Sequence, residues 1–531
     1  MKNHKFLSLI MLSSVAVAET AVNTAVQQQA TVIEAQPSVI TAPATSASTT
    51  EEVVLPQLSF EAQQARAAAL AKQAENIFQQ EEEKRQAAQK LTEAQTRINQ
   101  EIGANKLLLS SAVAQVYANN DFTPMWQDKT AQKTFLKEYA VFAASGVSAR
   151  SAAALNQILH SNGFVQDILL TDAFLDYLYY NKNVSKNANE WLYNLGSYKT
   201  RAPADKDINA WVASTKNGSV GQFVSNLVPR NHIYQETLER LFSMSSTGSS
   251  TGGSKIAKTG KGKSDATVSP ASSSSFTKLA LNAQRLRLIP SFNNGIFVNI
   301  PSYQLYYVRD GKLTLQSNVI VGRNDRRTPV MYSKLSNIVV NPPWNVPPTI
   351  KNKDLVPRMA KDPSYADRAG YEILDGKGNK VNPHSINWSA YVGKNNFPYH
   401  IRQKAGDDSA LGRYKFNMPS SDAIFLHDTP NRGLFGKKDR ALSSGCVRVA
   451  KSDELATLLL KEAGWSESKK QSVLASKKTT SAPIRSDNPV YLYYVTSWVE
   501  GGKVHNLPDV YGFDKNLPKS SLDWTKVKNV I

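Results

Sequence analysis

One stretch of this chain cannot contribute to a hydrophobic core, and it divides the sequence into two parts of different character. Residues 243–275 consist mainly of Ser, Gly, Thr and Lys and contain almost no apolar side chains. A segment of this composition buries too little apolar surface to offset the entropy lost on ordering. We therefore predict a flexible, basic linker, with an independently patterned region on each side.

Before the linker, apolar residues recur at helical spacing. Residues 56–105 are rich in Ala, Gln, Glu and Lys, which favour helix, and predict either one long helix or a coiled-coil-like hairpin. Between residues 106 and 242 apolar positions such as Leu170 and Phe174 follow the 3.6-residue period of a helix, which predicts a compact all-α domain. Residues 121–126 interrupt this period, and we expect a turn anchored by a core tryptophan.

After the linker, residues 276–515 change to runs of β-branched and aromatic residues separated by turn signals. Ile296–Ile300 is one such run, and the pattern predicts a mainly antiparallel β domain. Charged, partly helical sequence over 351–395 interrupts it. This insertion favours a lid or a substrate-gripping subdomain, and a solvated excursion fits the same composition. We predict an α+β multidomain fold, all-α first and β second, with residues 516–531 as a C-terminal tail.

Residues 1–18 have the features of a signal peptide. Lys2 and Lys5 precede an apolar core, and Ala16-Val17-Ala18 forms an A-x-A cleavage site. An uncleaved signal anchor is the alternative, but the well-formed small-residue site favours cleavage near Ala18. We expect a periplasmic protein without a stable membrane anchor. Residues 19–55, rich in Ala, Thr, Val, Gln and Ser, predict a flexible tether.

The charge and the histidines restrict the possible partners. The formal net charge of +19 favours an anionic partner such as a wall polymer or a membrane surface. The basic residues are spread along the chain without a zinc-finger or RNA-binding signature, so we predict no nucleic-acid partner. No pair of histidines shows metal-ligand spacing, and we expect neither a metal nor a cofactor.

The chain contains a single cysteine, Cys446, within Ser443–Arg448. An exported protein with one thiol cannot form an internal disulfide, so this thiol is either inert or reactive. Small and polar residues and an arginine flank it, which is a setting where a thiolate can form and be reached. We therefore interpret Cys446 as a nucleophile.

His427 is the natural base for this thiol. It follows the apolar run Ala423–Leu426, so we expect it at a strand terminus, where functional residues are commonly displayed. A thiol that attacks an amide carbonyl needs a base and donors for the oxyanion. Gly445 allows close backbone approach, and the N–H groups of Gly445 and Cys446 can point at a developing oxyanion.

The two motifs together resemble the catalytic signature of the L,D-transpeptidases of bacterial cell walls, which have a YkuD-type catalytic domain. The resemblance is strong over residues 280–515 and fainter over the helical domain, which is similar to the scaffold of the family's large periplasmic branch. One departure is Phe425, which stands where a tyrosine is common. The matching segments are His427–Thr429, Ser443–Arg448, Thr328-Pro329, Asn341–Pro347 and Arg402–Gly406.

The resemblance implies roles for individual residues. Cys446 would be the acylated nucleophile, His427 its base and Gly445 part of the oxyanion hole. Asp428 would orient His427, through either its side chain or its backbone. The substrate-binding residues implied by the resemblance are Arg448, Ser444 and Trp344.

The resemblance also implies an activity. The protein would be a cysteine acyltransferase that forms 3-3 crosslinks between peptidoglycan stem peptides, and carbapenem-type inhibitors would bind it. An L,D-carboxypeptidase or a D-amino-acid exchange enzyme could use the same acyl-enzyme. The non-enzymatic alternative is a wall-binding scaffold, in which Cys446 would be a buried, unreactive thiol.

Overall fold

Among the described residues, the first part of the protein is helical and all the strands lie in the second part, as predicted. The computed structural model describes residues 59–244, 273–518 and 522–531. The predicted signal peptide, the tether and nearly all of the predicted linker lie outside these ranges. The chain divides between Glu81 and Glu82 into two units.

A single helix, Phe60–Ile102 (α1), forms where the sequence allowed either one helix or a hairpin. In the first unit its large apolar side chains, such as Phe60 and Phe78, are exposed. In the second unit the end of α1 buries Ile98 and Ile102 in the core. No helix within the described ranges combines the length and the apolarity needed to cross a membrane.

The helices after α1 pack around an aromatic core. Trp126, Phe135, Phe174 and Trp211 are buried, with ring centroids of contacting pairs 4.5–5.8 Å apart. Contacts of this kind stabilise a core beyond the area that they bury. The helices are α2 Ser110–Asn119, α3 Lys129–Ser145, α4 Ser151–Leu159, α5 Gly163–Trp191, α6 Asp205–Lys216, α7 Val220–Ser225 and α8 His232–Ser243.

The predicted turn at residues 121–126 is confirmed, with Trp126 buried at its end. One buried carboxylate fixes it. Asp167 of α5 accepts hydrogen bonds from the N–H groups of Met125 and Trp126, both at 2.9 Å, and from Tyr117 Oη at 2.5 Å. Because buried backbone N–H groups need partners, Asp167 determines where this turn lies.

Helix Ser273–Leu286 (α9) joins the helical part to the strands. It packs against α3 and α8. Just beyond its end, the buried Arg287 donates to the buried carboxylate of Glu138 on α3, which also accepts from Tyr234 Oη at 2.7 Å. Removing one partner of a buried ion pair costs about 3–5 kcal/mol. This pair therefore fixes α9 on the helical part.

One mixed sheet forms the second part of the protein. Its strand order is β14-β5-β10-β11-β13-β3-β2-β1-β15-β4, with β12 beside β3. Antiparallel pairs predominate, as predicted, while β1–β15, β11–β13 and β3–β12 are parallel. The strands of the described chain are β1 Gly295–Asn299, β2 Gln304–Arg309, β3 Lys312–Gly322, β4 Met331–Lys334, β5 Asn337–Val340, β6 Trp344–Asn345, β7 Tyr371–Leu374, β8 Lys380–Val381, β9 His400–Gln403, β10 Tyr414–Asn417, β11 Leu426–His427, β12 Ala441–Ser443, β13 Val447–Val449, β14 Thr480–Pro483, β15 Pro489–Tyr493, β16 Ser497–Glu500 and β17 Lys503–Asn506.

The predicted lid is a subdomain with its own sheet and core. Strands β6, β9, β7 and β8 pair in that order, and apolar side chains of the insertion form a cluster separate from the main core. Trp344 and Gln403 pair at its two ends, so it covers residues 344–403, more than the predicted 351–395. Its helical elements are α10 Pro348–Ile350, a π-helical turn Lys351–Leu355, α11 Val356–Lys361 and α12 Tyr365–Arg368.

The predicted C-terminal tail over residues 516–531 is partly helical in its described part. After helices α13 (Ser452–Glu462) and α14 (Glu467–Ser476) and the hairpin β16–β17, residues Trp524–Val530 form α15. Trp524 and Val527 lie one helical turn apart and are both buried, and Trp524 Nε1 donates to Leu241 O at 2.8 Å. This spacing gives the last helix an apolar face.

We expect a protease cut in the linker to leave the protein in one piece. The composition of residues 243–275 predicts the first cut there, but side chains of α3, α5, α8 and α9 and of the main sheet share one core. Denaturing gels should show two fragments, while size-exclusion chromatography without denaturant should give one peak at the intact mass. Separate peaks would show that the two parts fold independently.

Candidate active site

All six residues that the sequence singles out line one cavity of about 520 Å³. The lid adds Pro347, Thr349 and Ile350 to its wall. No group of three or more His, Cys, Asp or Glu side chains that could hold a metal ion occurs in the described part of the chain. The six residues are Cys446, His427, Gly445, Arg448, Ser444 and Trp344.

Three basic side chains form a row across the middle of the sheet. His427 on β11 lies opposite Lys415 on β10 and opposite Arg448 on β13. Residues directly opposite each other in a sheet share a face, so the imidazole stands between an ammonium and a guanidinium. Cys446, two residues before Arg448, lies on the same face by alternation.

A backbone carbonyl orients His427. Nδ1 of His427 lies 2.5 Å from Asp428 O, and because a carbonyl can only accept, Nδ1 carries the proton and Nε2 the free lone pair. The carboxylate of Asp428 accepts instead from Arg432 Nη2 and Ser452 Oγ, both at 2.6 Å. Of the two alternatives that the sequence left open, the backbone of Asp428 is therefore the one that contacts His427.

Burial keeps His427 neutral. Its side chain is 5% exposed, and burial, with the positive charges of Arg448 and Lys415, lowers the pKa of His427 to about 3. The imidazole is therefore uncharged at neutral pH and free to accept a proton. Once protonated, it stands between two cations, and its low pKa makes it a strong proton donor.

The surroundings of Cys446 act on its thiol in opposite directions. Burial raises the pKa of Cys446, while a backbone hydrogen bond to Phe425 and the charges of Lys415 and Arg448 lower it. The half-buried Sγ lies 3.9 Å from Ala423 O. The resting site therefore pairs a thiol with a neutral imidazole, and the two cations favour the thiolate when the proton leaves.

Hydrogen bonds fix the turn that carries Cys446. Ser443 Oγ donates to Cys446 O at 2.6 Å and accepts from Gly445 N–H at 3.1 Å. Thr328 Oγ1 donates to Gly445 O at 2.6 Å. Gly445 has a φ of 121°, which only glycine adopts readily.

This turn leaves one of the two expected oxyanion donors free. The N–H group of Gly445 is already bonded to Ser443 Oγ, so it reaches an oxyanion only if that bond breaks. The N–H group of Cys446 has no hydrogen-bond partner among the described residues. Gly445 therefore contributes the shape of the turn, and Cys446 N–H is the available donor.

Arg326 links the lid to the turn of the nucleophile. Its Nη2 donates to Asp354 Oδ1 of the lid at 2.8 Å, and its Nη1 donates to Ser444 Oγ at 3.2 Å. The Arg326 side chain is 12% exposed. The position of the lid is thus tied to the residue two places before Cys446.

Sequence reasoning missed both Lys415 and Arg326. In β10, Lys415 stands between the buried residues Tyr414 and Phe416. Because side chains alternate along a strand, this pattern predicts that Lys415 lies on the face away from the core, which is the face of the cavity. No local pattern marks Arg326, because its partners Asp354 and Ser444 are 28 and 118 residues away.

Gly412 offers a test of how the base is positioned. It has a φ of 59°, and a Cβ at this position would clash with the Asp428 carboxylate. We expect Gly412→Ala to displace Asp428 and with it the carbonyl that orients His427. Alkylation of Cys446 by iodoacetamide at neutral pH should slow by roughly ten- to a hundredfold.

Gly406→Ala is the matched control. Gly406 belongs to the same segment, but a Cβ there meets no atom within 4 Å. Its alkylation rate should equal that of the wild type. Equal rates for Gly412→Ala and Gly406→Ala would show that Asp428 does not position the base.

Comparison with known proteins agrees with this geometry. The model of the L,D-transpeptidase catalytic domain (YkuD) matches residues 293–482, and that of the Scaffold domain matches residues 111–241. A Haemophilus influenzae protein named "Putative L,D-transpeptidase" is 51% identical over 451 residues, covering 83% of this chain and 87% of that protein.

A solved structure, "Structure of the Ldtfm-avibactam carbamoyl enzyme", is 11% identical, with 39% of this chain and 50% of that chain covered and a TM-score of 0.18. A likeness at that TM-score supports no conclusion. The family follows from the 51% identity over most of both chains and from the two domain matches. This chain belongs to the L,D-transpeptidase family.

Proposed function

We propose that the protein is an exported, periplasmic enzyme that forms 3-3 crosslinks between peptidoglycan stems through an acyl-enzyme on Cys446. The observation that carries the proposal is the contact between His427 Nδ1 and Asp428 O. It leaves the unprotonated Nε2 of His427 as the base in a cavity that also contains the thiol of Cys446. Such a pair is what activation of a thiol for attack on an amide requires.

In the acylation step, Cys446 attacks the carbonyl carbon of the third residue, at its L-centre, in a tetrapeptide stem. The sulfur–carbon bond forms as the thiol proton passes to His427 Nε2, and the carbonyl oxygen becomes an oxyanion that Cys446 N–H can receive. Collapse of this intermediate breaks the carbon–nitrogen bond, and His427 gives the proton to the amine of the departing D-alanine. Burial and the charges of Arg448 and Lys415 lower the pKa of His427, so the protonated imidazole gives up this proton readily.

In the second step, an amine of another stem attacks the thioester of Cys446. His427 takes a proton from this amine, the carbon–sulfur bond breaks, and the leaving sulfur recovers a proton. The product is an amide between two stems, and the free thiol is regenerated. The same two side chains therefore serve both half-reactions.

Arg448 is the residue best suited to hold the stem peptide. It lines the cavity, burial lowers its pKa, and its buried Nε has no partner among the described residues. A substrate carboxylate would satisfy this group through a charge-assisted hydrogen bond. Ser444 on the turn and Trp344 on the lid would contact the stem from two other sides.

The lid decides between transfer and the alternative outcomes. In an L,D-carboxypeptidase water accepts the acyl group, and in a D-amino-acid exchange enzyme a free D-amino acid accepts it. Pro347 and Ile350 give the cavity an apolar wall, which disfavours water and favours a stem as acceptor. The Arg326–Asp354 contact holds this wall against the turn of the nucleophile.

Purified tetrapeptide muropeptides test the reaction directly. With the wild-type protein, mass spectrometry should detect 3-3 dimers, and with Cys446→Ala it should detect none. Circular dichroism should show an unchanged fold for the variant, because no disulfide is lost. Tripeptides or exchanged D-amino acids in place of dimers would establish the alternative outcomes, and crosslinking by Cys446→Ala would overturn the proposal.

Acylation by a carbapenem tests whether His427 acts as the base for Cys446. Its strained amide should acylate Cys446, and the intact protein should gain the mass of one inhibitor. His427→Ala should slow this step by about a hundredfold or more at neutral pH, because no base then takes the thiol proton as the sulfur attacks. Raising the pH should partly restore the rate as the thiolate forms by titration. An adduct that forms equally fast in His427→Ala at neutral pH would remove His427 from the mechanism.

A further inference from the structure

Lys415 is a half-buried cation held by an aromatic ring instead of a carboxylate. Its Nζ lies 4.1 Å from the centroid of the Phe425 ring. No carboxylate lies within ion-pair distance of Lys415 in the described ranges. A carboxylate would cancel the positive charge, whereas an aromatic face holds the ammonium and leaves the charge in place. Burial lowers the pKa of Lys415, and the charge on Cys446 acts against this effect.

The remaining charged groups around the cavity do not replace Lys415. Arg326 is paired with Asp354 of the lid. Arg327 and Asp422 also line the cavity, and the guanidinium of Arg327 lies over the rings of Tyr511 and Phe513. Lys415 and Arg448 lie on either side of His427 in the sheet, and both charges lower the pKa of the Cys446 thiol.

We propose that Lys415 is a positioning residue whose fixed positive charge, together with that of Arg448, stabilises the Cys446 thiolate. The thiol proton passes to His427 Nε2 and then to the departing amine, while the negative charge on sulfur is balanced by Lys415 and Arg448. Lys415 itself forms no bond to the substrate. This inference rests on the proposed role of Cys446 as the nucleophile.

Sequence position and packing support the assignment. Lys415 lies directly opposite His427 on the neighbouring strand, so its Cα cannot move away from the site without a change of register. The ring of Phe425 contacts both side chains, with its centroid 5.7 Å from that of the imidazole and 4.1 Å from the ammonium. The ammonium is therefore held close to the base without a hydrogen bond to it.

The test is the pH profile of alkylation at Cys446, which is the single cysteine of the chain. Iodoacetamide rates between about pH 6 and pH 11 should follow the thiolate fraction. Lys415→Met should raise the apparent pKa of the thiol by about one unit. Alkylation should then be about tenfold slower below that pKa and unchanged at the high-pH plateau.

Two variants control for charge and for the lysine–aromatic contact. Lys415→Arg retains the charge and should retain the wild-type profile. Lys469 lies on helix α14, with its Nζ 4.6 Å from the centroid of the Trp465 ring, and Lys469→Met should also leave the profile unchanged. Should Lys415→Met fold poorly, Lys415→Gln removes the same charge with a polar side chain.

The outcomes separate this inference from the proposed function. A wild-type profile in Lys415→Met or Lys415→Gln would overturn the inference. A rate lowered by the same factor at every pH would also overturn it, because that result indicates a structural role. A wild-type Cys446 that resists alkylation across the whole range would instead overturn the assignment of the nucleophile.

Discussion

The arrangement of the protein depends on two buried arginines at the end of α9. Arg285, whose side chain is fully buried, donates to Leu192 O of the helical part at 3.2 Å and to Asp514 at 2.7 Å. Arg287 pairs with Glu138 on α3. A buried guanidinium is tolerated only where its donors are satisfied, so these contacts hold α9 against several segments at once. These arginine contacts therefore fix the position of the following β sheet relative to the helices.

The chemistry of the site depends in turn on the apolar face of the sheet. Tyr414 and Phe416 are buried on one side of β10, which places Lys415 on the other. A slip of one residue would turn every side chain of the strand to the opposite face. The order Lys415–His427–Arg448 across three strands is therefore a consequence of core packing on the far side. Cys446 directly precedes β13, and it lines the same cavity as His427 and Arg448.

That Cys446 and His427 line the same cavity could be predicted, because the signals of both motifs are local. His427 on β11 and Arg448 on β13 lie on strands that pair directly, and Cys446 lies in the turn immediately before β13. Arg326 could not be predicted, because its contacts with Asp354 and Ser444 join residues that are far apart in the sequence. The limits of the lid were also missed, since β6 is two residues long and follows a pair of prolines. The alternation of Tyr414, Lys415 and Phe416 indicates that Lys415 faces away from the core, but a search for catalytic residue types alone does not detect it.

The lid has ends that lie side by side. Trp344 and Gln403 pair with each other, and the subdomain between them has a core of its own. A segment built in this way can be lengthened, shortened or exchanged between relatives without changing the register of the main sheet. The module between residues 344 and 403 can therefore vary while the row of Lys415, His427 and Arg448 stays intact. Change in the lid is in this way uncoupled from the arrangement of the cavity floor.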